Sequence, residues 1–173
     1  MDNAEEIYQL LENDAFSWLE QVDRARISAD VIYAALTEIK HLSQTLPGVR
    51  EKKLAYMQSY MFLTASSFEN LLKGIAVTKD PTSWKGFQHG GHGIATFAKE
   101  VTTLSDDEHD LLLHLQEFLV WAGRYIIPKT PNRFTSGQQL RTLRGSDPPL
   151  AAALFERLSS ILHDRIAQRT QAT

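Results

Sequence analysis

The sequence predicts an all-α protein, an antiparallel bundle of about five helices with a long irregular segment before the last one. Three observations predict it. Apolar residues recur at spacings of three and four along most of the chain, the period of one helix face. No segment alternates apolar and polar residues cleanly enough to be a strand. Glycine and proline fall mostly in two stretches and leave long uninterrupted runs between them.

The first predicted helix covers Ala4–Val22, with apolar positions Ile7, Leu10, Leu11, Phe16, Trp18 and Leu19. Its early acids suit a helix N-terminus. The second covers Ser28–Leu46, with "SAD" as start, "LPG" as stop, and a stripe of Ile32, Ala35, Ile39 and Leu42. From Arg50 to Thr78 there is no proline, and no glycine before Gly74. Leu54, Met57, Met61, Ala65, Phe68, Leu72 and Ile75 draw one stripe along this segment. At 1.5 Å per residue it spans roughly 42 Å, the length of a bundle's central helix.

"KDPTSWKGFQHGGHG", Lys79–Gly93, is a loop by composition, and Ile94–Val101 reads as a short helix. Ser105 followed by Glu108 is the capping-box pattern, so a helix runs from Asp106 to about Trp121, with Gly123 as its C-terminal cap. Arg124–Pro149 is irregular, with room for a short helix in "GQQLRTLRG". A loop of that length is usually functional or mobile. The last helix starts near Asp147, with Pro148 at a tolerated first-turn position, and runs to about Ala167. One domain, 1–173, is expected: an N-terminal helical pair (1–48), central helices (50–123), the irregular segment (124–149) and the last helix (150–168).

Composition narrows the function. The chain has 173 residues, enough for one core without staples. It has no cysteine, which excludes disulfides, thiol catalysis and thiolate metal sites. No apolar run approaches the ~20 residues that span a bilayer. The start, "MDNAEEIYQLLENDAF", is acidic rather than basic-then-apolar. A cytoplasmic protein without membrane contact is expected. Charge is uneven: residues 1–123 hold 10 basic and 18 acidic side chains, and residues 124–173 hold 8 basic and 3 acidic. Seven of those eight are arginine, whose fork suits phosphate or carboxylate. The basic end either pairs with the acidic body or meets an anionic ligand.

Glu69 and Lys73 stand four apart in "SSFENLLKGIAV". On a surface they form a modest helix pair; facing the interior they become position-specific. His89 and His92 share the glycine-rich loop, and Asp110 and His114 are spaced to share a hydrogen bond. None of these reaches the density of a metal site, so neither metal nor cofactor is expected. The glycines lack the Gly-Lys-Ser/Thr ending of a phosphate loop. Trp121, Tyr125 and Phe134 flank Arg124 and Arg133. Aromatics interleaved with arginines either stack bases beside phosphates or wedge a helix end against its neighbour.

The order of "FENLLKGIAV", "GHGIATFAKEV" and "LSDDEHDLLLHLQEFLVWAGRY", followed by a late helix, resembles the HEPN superfamily of small helical bundles. The resemblance covers about residues 50–165. Its Glu-x-x-x-Lys stretch and Gly-His start match Glu69, Lys73, Gly91 and His92. It implies a homodimer in a bacterial defence or toxin–antitoxin setting, and in active members a metal-independent ribonuclease with an Arg-x(4–6)-His motif. Arg124 stands where that arginine would stand, but Lys129, Thr130 and Pro131 occupy the histidine window. The resemblance therefore implies a binding or interaction domain for RNA, a nucleotide or a protein partner. Arg124, Tyr125, Arg133, Arg141 and Arg144 would form its anion-binding surface. The alternatives are an active endoribonuclease using Arg124 with His92 or His114 as proton carrier, and a purely structural helical adaptor.

Overall fold

A computed structural model of the chain describes residues 3–80, 93–122 and 143–171. The described elements are α1 (Asn3–Glu12), α2 (Ala15–Ile39), α3 (Val49–Lys79), α4 (Ile94–Val101), α5 (Asp106–Glu117) running into a π-helical turn (Phe118–Ala122), and α6 (Asp147–Gln171). The protein is all-α, with no strand among the described residues. No helix among them is long and apolar enough to cross a membrane.

The N-terminal helices divide differently from expectation. Asp14 ends α1 and starts α2 by accepting from the Phe16 and Ser17 N–H groups at 3.3 and 2.9 Å, as an N-cap does. The expected break before Ser28 is absent, because the Ser28 hydroxyl donates to the Arg24 carbonyl at 2.8 Å and is satisfied within the helix. The helix stops at Ile39 rather than Leu46. Lys53, across the hairpin, donates to the Lys40 and Leu42 carbonyls at 2.8 and 2.7 Å. A cation on the carbonyls at a helix end satisfies groups with no helical partner and suits the dipole. Gly48 then turns the chain into α3 with φ of 75°, a conformation that favours glycine.

α2 and α3 are antiparallel, because residues of matching position meet: Lys53 with Lys40, Tyr60 with Tyr33, Lys73 with Trp18. α6 runs in the same direction as α3, pairing Phe155 with Phe68, Leu162 with Gly74 and Arg169 with Val77. α5 opposes α6, joined through Glu108–Arg157 and His114–Asp147. Leu111, Leu112 and Leu115 of α5, Ala151, Leu154, Leu158 and Leu162 of α6, and the inner face of α3 share one core.

The predicted stripe of α3 holds from Met61 through Ala65, Phe68, Leu72 and Ile75, all fully buried, but not before it. Leu54 is 45% exposed. The bundle closes over α3 only from Tyr60 onward. The expected core positions Ile7, Leu10 and Leu11 are likewise exposed, because Asp14 separates α1 from α2, and Phe16 in the first turn of α2 is exposed too. The capping box of α5 forms as the sequence predicts: the Glu108 N–H donates to Ser105 Oγ at 3.3 Å, and the Ser105 N–H to Glu108 Oε2 at 2.8 Å.

A Cβ built on Gly74 would lie 3.1 Å from Leu162 Cδ2 and 3.3 Å from Trp18 Cβ. Here α2 and α6 both press on α3. Gly74→Val should lower stability by roughly 2 kcal/mol in urea denaturation, since overpacking outweighs the better helix propensity. Ser105→Ala, which removes one cap bond, should cost about 1 kcal/mol.

Candidate functional site

Glu69 lies on the α3 face that meets α2, 8% exposed. Its Oε1 is 2.8 Å from Lys73 Nζ, and that ammonium lies 5.3 Å from the Trp18 ring centroid. Of the two readings of this spacing, the geometry is the interior one. Removing one member of an enclosed ion pair costs more than the pair contributes, because the other charge stays buried. The pair and the indole lock α3 onto α2 immediately before Gly74.

His114 is fully buried on α5, with its ring edge-on to Phe118 at 5.7 Å. The carboxylate it faces is not Asp110, which is exposed on the outer side of α5, but Asp147 of α6, whose Oδ2 is 3.4 Å from Nδ1. Asp147 also accepts from the Arg144 backbone N–H at 2.9 Å, and Arg144 Nε lies 3.6 Å from its Oδ1. Burial pushes the Asp147 carboxyl up, but the close approach of the His114 ring, the Arg144 N–H and the Arg144 guanidinium outweigh it and hold the group below the ordinary aspartate range. Burial likewise raises Glu108, and the Arg157 and Ser105 bonds overcome it to leave a net lowering. In this position His114 fastens α5 to the start of α6. Arg144 keeps a half-exposed guanidinium beside that junction.

The other expected site residues, His92, Arg124, Tyr125, Arg133 and Arg141, lie outside the described residues.

A third feature was not foreseen from the sequence. Where α3 is still uncovered, a groove of about 560 Å³ opens between α2 and α3, within the range of ligand sites. Leu36, Leu54, Met57, Leu143 and the Tyr33 ring supply its apolar lining, and Lys40, Arg50 and Lys53 its charge. No carboxylate is among the described residues that line it. Nor does any described carboxylate lie within salt-bridge distance of Lys40, Arg50, Lys52 or Lys53. Elsewhere Arg24, Arg26, Lys73, Arg144 and Arg157 all pair with acids, while Arg165 and Arg169 hold the Ile75 and Val77 carbonyls near the end of α3. The signal was present in "KHLSQTLPGVREKK", five basic or imidazole side chains around one turn with the single acid Glu51. It was hidden by the net acidity of residues 1–123. Among the described residues no group of three or more His, Asp or Glu could hold a metal ion.

Comparison with protein-family models, curated proteins and solved structures finds no match to this chain.

A lowered folded-state pKa means that Asp147 and Glu108 stabilise the fold above their unfolded values, and that the contribution is lost as pH falls through the folded ones. Urea midpoints should therefore drop from about pH 5 downward, and the drop should be shallower in Asp147→Asn. Lys73→Met should destabilise by roughly 3 kcal/mol, and Glu69→Leu with Lys73→Met by less, in a double-mutant cycle.

Proposed function

We propose that this chain is a HEPN-like helical binding domain, without ribonuclease chemistry of its own, that engages an anionic partner at the open end of the α2–α3 hairpin. RNA, a nucleotide or an acidic protein segment would meet that need, in a bacterial defence or toxin–antitoxin setting. One observation carries the reading. In a body rich in acids, Lys40, Arg50 and Lys53 around this groove make no salt bridge to a described carboxylate. Uncompensated cations concentrated on one surface raise the local potential and attract anions. The half-exposed ring of Tyr33 beside them offers a face on which a base can stack. Thr37 and Gln44 supply hydrogen-bonding groups within the same lining.

The HEPN-like element of the reading rests on the sequence pattern and on the enclosed Glu69–Lys73 pair of α3. The non-catalytic element rests on the missing histidine after Arg124 and on the burial of His114, whose ring faces Asp147 instead of solvent.

Binding of a labelled single-stranded RNA should be salt-dependent. Three phosphate contacts give a log–log slope of about −2, or roughly a 20-fold loss between 50 and 200 mM salt. Arg50→Ala should make that slope shallower by nearly one contact. Affinity that is flat in salt, or unchanged in Arg50→Ala, would sink the reading. RNA cleavage in EDTA by the wild type would replace it with the endoribonuclease.

A further inference from the structure

We infer that α1 of one chain docks into the α2–α3 groove of a second copy, so that dimer formation and binding of another anion compete for one site. This rests on the groove being an anion-binding surface and names its built-in occupant.

Two exposed apolar faces of the same molecule match among the described residues. Beyond Ala29 no residue of α2 is buried, and from Arg50 to Ser59 none of α3 is. Two helices with Leu143 at one edge do not enclose an apolar stripe, and Leu36, Leu54 and Met57 leave room for a further helix. α1 has the converse defect. Ile7, Leu10 and Leu11 are 50%, 70% and 56% exposed, and Glu5 and Glu6 stand in its first turn. Its ten residues extend about 15 Å. The uncovered part of α3, Arg50 to Ser59, is of the same length. An acidic amphipathic helix laid in a basic apolar groove covers both surfaces and brings Glu6 toward the groove's cations. RNA would satisfy the cations but leave the leucines and Met57 uncovered.

The exchange has to occur between chains. α1 pivots at Asp14, and the groove begins at Tyr33, 19 residues further along α2. That is about 28 Å of helix, and a helix of about 15 Å cannot reach it in its own chain. Two copies with α2 helices side by side and antiparallel bring each α1 beside the other's groove. The contact is then reciprocal and closes as a two-fold dimer.

Sedimentation equilibrium of the full chain tests this. The wild type should dimerise, and Leu10→Asp, at an exposed position that the fold does not need, should weaken the dimer at least about tenfold. Glu6→Lys and Arg50→Glu should each weaken it, and the double variant Glu6→Lys/Arg50→Glu should restore it. RNA affinity of Leu10→Asp should rise, because the groove is freed. A monomer at all concentrations, or a dimer indifferent to Leu10→Asp, overturns the inference. In either case the salt dependence of RNA binding still judges the anion-binding reading separately.

Discussion

The close approach of three helices at Gly74 is the constraint on which the rest of the structure depends. Trp18 of α2 and Leu162 of α6 both press on a position with no side chain. Immediately before it, Lys73 and Glu69 neutralise each other beside the same indole. A charged pair tolerates such enclosure only with good geometry. The packing therefore sets where α2 and α6 lie on α3, and with it the register of every other contact. Arg165 and Arg169 extend this contact beyond Gly74 by holding the Ile75 and Val77 carbonyls from α6.

The two halves of α3 consequently have different environments. From Tyr60 onward α6, α5 and α4 cover it, and its stripe becomes the core. Before Tyr60, among the described residues, α2 and Leu143 accompany it, and the same stripe lines a groove. Lys53 ties α3 to the Lys40 and Leu42 carbonyls in the turn just past α2. The groove is thus a consequence of helix lengths. α2 and α3 are 25 and 31 residues long, and the helices that cover α3 do not reach its first turns.

Buried polar contacts join the remaining helices. Glu108 serves both as the reciprocal cap of α5 and as the partner of Arg157 on α6. His114 and Asp147 link the middle of α5 to the first turn of α6. Both carboxylates are held ionised by bonds that outweigh their burial. His114, a candidate proton carrier in the sequence, therefore does structural work in the interior. At the α2–α3 turn, Lys40, Arg50, Lys52 and Lys53 make no salt bridge to a described carboxylate.

The sequence by itself determined the helical class, the span of α3, the limits of α4 and the capping box of α5. These depend on local periodicity and on side chains reaching groups three residues away. It also marked Glu69 and Lys73 as a pair, but not which way they faced. Tertiary structure decided that, since one helix face cannot be told from another until a neighbour covers it. It decided too that Asp14 rather than Ser28 separates helices, because both are good cap residues and only the packing of α2 on α3 selects between them. It placed His114 opposite Asp147 rather than Asp110. It left Leu54 and Met57 outside the core. Periodicity shows that a stripe exists, but burial depends on how far the neighbouring helices extend along it.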